Sequence, residues 1–330
     1  CPSLLLEPTA TNLVTYSEDF SNVAWGKNSL TILSNVITSP KGDLTAEKLI
    51  PNATASVNKF LGRGVATTNG QSHTFSVFAK KGEYDRLRLE DGTNSNGAWF
   101  NLSNGTVGTV GGGSTAKIEN YGNDWYKCSL TKLTITTSFF TVIGASNIEN
   151  IQVGDGTSGI YIFGASLEQN SYATSYIKTI GTTQSRSADT ANGAGNASLI
   201  SSTEGVLYAE ISALANDSTI RAITLSDGGI SNYVALEYST ASNRLIASTS
   251  GGNVFMQTFA YDITNNLKVA FKYKENDFAL WVNGTEILVD TSGSVPLNLS
   301  ELAFDRGDGG SPFYGSAKQI QYFDSALNDS

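Results

Sequence analysis

His73, Cys1 and Cys128 are the only histidine and cysteines in the 330-residue chain. Zinc sites are built from clusters of His and Cys, so this inventory argues against one. Any Ser-His-Asp or Cys-His mechanism would have to run through His73. That residue sits in Gln71-Ser72-His73-Thr74-Phe75, at the start of an alternating strand, and reads as a polar strand-end residue. The two cysteines fix no pairing; they read as free thiols, one of them buried. Thirty Asp and Glu residues leave a hydrolytic carboxylate pair open in principle. However, no Glu-x-Asp-x-x-Glu strand, phosphate loop or dinucleotide fingerprint is present, and the chain reads as a non-enzyme. A different chemistry is available. A sugar ring needs an aromatic face for its C–H side and planar polar groups for its hydroxyls. Arg86 and Arg88 point to one side of their strand while Leu87 and Leu89 point to the other, toward a core. With Tyr84 before them, Asp91 and Asn94 in the following turn, and Trp99 next, they suggest an exposed sugar platform. A second candidate is the loop Asp305-Arg306-Gly307-Asp308-Gly309, whose carboxylates could meet Ca²⁺ or sugar hydroxyls at a rim. It contains Arg-Gly-Asp, the integrin-binding tripeptide, which Gly/Asp loops often produce by chance.

The elements that must position these groups are strands. Thr74–Ala79, Arg86–Leu89, Lys127–Leu130, Val206–Ile211 and Val234–Tyr238 all alternate with period two. Gly, Asn, Asp and Ser recur every ~8–12 positions, the spacing of an all-β sandwich or barrel. Asn283-Gly284 lies between Phe278–Val282 and Thr285–Val289 and predicts a type I′ hairpin. Asn104-Gly105 predicts the same between Ala98–Leu102 and Thr106–Val110. Short helical turns are expected only at Ser17–Ala24 and Ser325–Asp329. Length divided by ~150 residues gives about two domains. The polar, small-residue stretch 186–203 reads as a linker between residues 1–185 and 204–330. The net charge of −9 argues against nucleic acid or an anionic membrane as the main partner. No apolar run approaches the ~18 residues of a membrane-spanning helix. The chain does not begin with Met, and the apolar, Pro-flanked Cys1–Pro8 reads as the tail of an upstream element.

Four segments of the first half carry a resemblance. They are Cys1–Pro8 with Thr11-Asn12-Leu13-Val14-Thr15-Tyr16-Ser17-Glu18-Asp19-Phe20, then Phe75–Lys80, then Gly122–Ser129, and Gly154–Tyr176. Over about residues 1–190 the chain resembles the carbohydrate-binding-like domains of phage tail fibres and head spikes. The second half resembles a laminin-G or concanavalin-A-like lectin sandwich through Leu267–Tyr273, Phe278–Gly284 and Gly315–Leu327. The resemblance implies two tandem β-sandwiches of jelly-roll type in a virion adhesin, or else in a secreted protein. Its partners would be bacterial surface polysaccharide and neighbouring virion proteins, without nucleic acid or membrane insertion. It also implies a homo-oligomer, a trimer in the parent assembly. Jelly-roll sugar binders often hold a structural Ca²⁺ where the first and last strands meet; here Glu18, Asp19 and Glu168 lie in those segments. Alternative readings are a carbohydrate-binding appendage of a polysaccharide-degrading enzyme, a purely structural virion component and a depolymerase.

Overall fold

The structure is a computed structural model in which residues 3–54, 58–93, 96–151, 154–250 and 253–327 are described, the side chain of Asn96 excepted. Asn94, Cys1 and residues 328–329 of the expected C-terminal turn fall outside them. The fold is all-β, with no helix among the described residues. Ser17–Ala24 folds as consecutive turns instead, with the Asn22 amide donating to Asp19 O and the Trp25 amide to Asn22 O. Two compact units divide the chain. The first is Thr9–Ser187; the second takes residues 188–327 together with 3–8.

The first unit is a sandwich of two antiparallel six-stranded sheets. One sheet runs, edge to edge, Ser114–Asn120, Tyr126–Thr134, Gln71–Lys81, Ile160–Glu168, Ala46–Pro51 and Leu30–Ile37. The other runs Thr106–Val110, Asn96–Asn101, Arg86–Asp91, Ser138–Ser146, Phe60–Ala66 and Gly26–Asn28. Alternation decides what each strand buries. Phe75, Val77 and Ala79 enter the core with Cys128, Leu130, Ile160 and Ile162, against Leu61, Leu87, Leu89, Phe100, Phe139 and Ile143 of the facing sheet. Full burial of such a side chain is worth ~1.5–3 kcal/mol, so a core of this size needs no covalent staple. Ile160–Glu168 carries a bulge. Phe163 pairs with Phe78 and Ser166 with Ser76, so two residues, Gly164 and Ala165, stand opposite Val77. Gly164 takes φ +60°, and a Cβ there would lie 3.1 Å from the rings of Phe78 and Tyr176. The bulge keeps Phe163 on the outer row while Ala165 and Leu167 return to the core.

The second unit packs a six-stranded sheet on a five-stranded one around Phe271, Tyr273, Leu280, Tyr238 and Phe313. Asn283 and Gly284 take φ +52° and +82° between Phe278–Val282 and Thr285–Asp290, the expected type I′ turn. The other hairpin differs. Asn96–Asn101 ends before Leu102, and a four-residue loop follows, closed by the Gly105 amide on Asn101 O and by Gly105 alone at φ +69°. The domain boundaries also differ from expectation. Leu4–Leu6 belongs to the second unit: it pairs with Ala317–Gly315 at the edge of that unit's larger sheet. The expected linker at 186–203 is ordered by backbone partners. Ala194 and Leu302 exchange both hydrogen bonds, the Phe304 amide donates to Ala191 O, and Ile200 enters the core.

Candidate functional site

The sugar platform expected around Tyr84 is not assembled. Tyr84 packs into the core of the first unit, and burial pushes its hydroxyl above the ordinary tyrosine range. Asp91 is fully buried. It belongs to the strand Arg86–Asp91 and, like Leu87 and Leu89, faces the interior. There its carboxylate accepts a hydrogen bond from Lys132 Nζ at 3.0 Å and others from the amides of Thr93 and Phe140. Arg88 and Trp99 are cross-strand neighbours, as their alternation predicts, but Trp99 is buried despite its outer position. Arg88 pairs with Glu90 and lies across Gly144; Arg86 pairs with Asp85 at 2.7 Å.

The proposed metal ligands are each satisfied by protein groups. Glu18 accepts hydrogen bonds from Lys41 Nζ at 3.2 Å, Lys178 Nζ at 2.6 Å and Tyr176 Oη at 3.2 Å. Asp19 accepts from Ser21 Oγ and Asn22 Nδ2 in its own turn. Glu168 is buried, bonded to Thr174 and Ser166, and burial raises its carboxyl above the usual range. Among the described residues no three His, Cys, Asp or Glu side chains gather as a metal site. The rim loop of the second unit is likewise tied to itself. Arg306 pairs with Asp308 at 2.9 Å, and buried Asp305 accepts bonds from Asn192 and the Gly307 amide. His73, expected at the strand end, is buried, with Nδ1 2.8 Å from Thr134 Oγ1.

The site that the geometry does assemble lies on the outer face of the first unit's first-described sheet. On Gln71–Lys81 the outer row is Thr74, Ser76, Phe78, Lys80, so an aromatic stands where alternation assigns solvent. Tyr161 and Phe163 do the same on the neighbouring strand, opposite the inward Ile160 and Ile162. Phe78, Phe163 and Trp125 form a small outer cluster with Ala46, joined by Tyr176, Tyr161 and Ile37. Tyr176 covers part of the face, with its ring 5.9 Å edge-on from Phe78 and 5.7 Å from Phe163. Burial drives its hydroxyl far above the ordinary tyrosine pKa, so it remains a neutral phenol.

Beyond Tyr176 the face is open, and a cleft of about 440 Å³ remains. It is lined by Tyr121, Tyr161 and Trp125, by residues 37–40 and by Gly122 and Asn123. Tyr121 is 51% exposed yet held edge-on against Phe78, 4.9 Å between ring centres. Trp125 is fixed by a hydrogen bond from Nε1 to Thr38 O. Lys80 completes the lining, its Nζ donating to Asn123 O at 2.7 Å. Three further lysines lie over rings of this face: Lys41 over Phe163, Lys48 over Tyr161 and Lys127 over Phe78, at 5.5, 5.9 and 5.8 Å. The arrangement offers ring faces beside hydrogen-bond donors in a shallow trough, the two kinds of group that hold a sugar. Of the adjacent aromatics Trp125 and Tyr126, Tyr126 packs on the core while Trp125 lines the cleft. The available signal was the run of aromatics in outer rows.

No protein-family model and no curated protein matches the chain. Among solved structures, the mouse laminin alpha1 chain, domains LG4-5, aligns with 100% of this chain and 96% of its own length, at 8% identity and a TM-score of 0.28.

Proposed function

We propose that the chain is a non-catalytic adhesin whose first unit binds glycans in the Tyr121–Tyr161 cleft. The observation that carries this reading is an open cleft lined by exposed Tyr121, held edge-on by Phe78, and by partly buried Tyr161, with Lys48 over its ring. Rings that are already held lose little conformational freedom when a sugar stacks on them, which favours affinity. The resemblance of the first half to phage fibre and spike domains supports bacterial surface polysaccharide as the ligand and the virion as the setting. Each site would bind weakly, with strength coming from copy number.

Binding to purified bacterial polysaccharides, followed by calorimetry or affinity electrophoresis, tests the reading. Tyr121→Ala and Tyr161→Ala are each expected to weaken binding about fivefold, the ~1 kcal/mol of one ring contact, with unfolding temperature little changed. Arg88→Ala, remote from the cleft lining, is expected to leave binding intact. Absence of binding to every polysaccharide, or release of reducing ends during incubation, would overturn the proposal.

A further inference from the structure

We infer that the cleft selects acidic sugars, with Lys80 receiving the ligand's carboxylate; this rests on the glycan-binding reading above. Among the described residues, Lys80 is the one Lys, Arg, Asp or Glu that lines the trough. That is notable in a chain where Asp and Glu outnumber Lys and Arg 30 to 21. The carboxylates nearest the other lysines of this face stand clear of the lining. Glu83 holds Lys48 at 2.7 Å and Glu18 holds Lys41 at 3.2 Å, and neither carboxylate lines the trough. An anion entering the cleft therefore meets an ammonium in the lining, while the Asp124 and Asp43 carboxylates, bonded to lining residues Lys80 and Ser39, stand just outside it.

Lys80 is also placed to exchange partners. Its outer-row position sets it two residues beyond Phe78, and its Nζ is bonded to the carbonyl of Asn123, itself a lining residue. Its acidic partner is Asp124, 3.5 Å away on a side chain that is 73% exposed. Lys80 is 28% exposed, and a partly exposed pair at that distance is weak. An ammonium has three donors. One stays on Asn123 O, and a ligand carboxylate can take the place of Asp124 while the pyranose ring stacks on Tyr121 or Tyr161. Asp124 thus occupies the position of a competing carboxylate. Asn123 and Asp124 both take positive φ, at 50° and 63°, so the turn itself presents the carbonyl and the side chain to Lys80.

The test compares one acidic polysaccharide with its carboxyl-reduced form, so that linkage and length stay constant. A polyuronate such as alginate or polygalacturonate is the probe, measured by calorimetry on the full chain. The acidic polymer is expected to bind about tenfold more tightly than the reduced one, with the difference shrinking as salt rises. Lys80→Gln is expected to abolish that preference and leave the reduced polymer's affinity unchanged, and Lys80→Arg to retain it. Asp124→Asn is expected to raise affinity for the acidic polymer a few-fold by removing the competitor, a gain that a purely structural role for Lys80 would not produce. Equal affinity for both polymers, or equal loss on both in Lys80→Gln, refutes the acidic-sugar inference and leaves the glycan reading standing. Failure of both polymers and of every neutral polysaccharide to bind refutes the glycan reading itself.

Discussion

Removing the Asp91 carboxylate is expected to destabilise the first unit severely, and the structure sets the size of the effect. Asp91 is fully buried and the Lys132 side chain is 5% exposed, with 3.0 Å between Nζ and Oδ2. The two come from facing sheets, so the pair spans the sandwich. Breaking such a pair from one side leaves an uncompensated buried charge and costs ~3–5 kcal/mol. The amide of Phe140 keeps a second acceptor in Thr93 Oγ1 at 3.1 Å, so its loss adds little. Asp91→Leu should therefore lower stability by about 4 kcal/mol at pH 7. Asp91→Leu with Lys132→Met should recover most of the loss, because an apolar pair needs no partner. Urea denaturation read by tryptophan fluorescence suits the measurement, since Trp25, Trp99 and Trp125 lie in the first unit and only Trp281 in the second. A loss below 1 kcal/mol in Asp91→Leu, or a double variant no more stable than the single one, would refute the reasoning.

Other expectations are independent of that pair. Burial pushes the Glu47 carboxyl up to about 7, against the hydrogen bond it accepts from the Phe20 amide. A raised carboxyl pKa means that the folded state holds the extra proton, so its share of stability is present below ~4.5 and is lost as pH rises through 7. Glu47→Gln should flatten the stability–pH curve in that window by about 2 kcal/mol, and an unchanged slope in urea titrations would dismiss the assignment. Cys128 is fully buried and its thiol is pushed well above the usual range by burial. It should resist a maleimide in the native protein and react on denaturation, which mass spectrometry can follow. Deleting residues 1–6 removes the Leu4–Leu6 edge strand and buried Leu6, and should destabilise the second unit by about 2 kcal/mol while leaving the first unit's urea transition in place.

Period-two alternation located most of the sandwich from sequence, including the inward Leu87 and Leu89 and the Arg88–Trp99 face. It could not say whether an outward side chain is exposed. Trp99 is outward and still covered, whereas Tyr121, beyond its strand, stays open. Asp91 is two residues from Leu89 and so shares its inward parity; assigning it to a turn ended the strand too early. Its partner Lys132 lies on another sheet, where no local pattern points. The stretch at 186–203 looked unable to order itself because composition measures side-chain burial alone. Its order comes from backbone pairing, Ala194 with Leu302, between residues far apart in sequence. The cleft was legible in part. Phe78, Tyr161 and Phe163 fall in rows where alternation calls for polar residues, a local conflict of the sort that functional surfaces produce.

The strand Leu4–Leu6 makes the architecture a nested one. Thr9–Ser187 interrupts a sandwich whose polypeptide begins before it and resumes after it. Both chain crossings are pinned at the same place. Asp189 N donates to Glu7 O at 2.9 Å on one side, and Ala10–Asn12 pairs with Gln184–Arg186 on the other. The edge strand Leu4–Leu6 therefore leaves the ribosome before the insert and stays unpaired until its partner Gly315–Phe323 follows. The insert in turn has abutting ends, so it is a cassette that evolution or an engineer can exchange without rebuilding the frame that carries it.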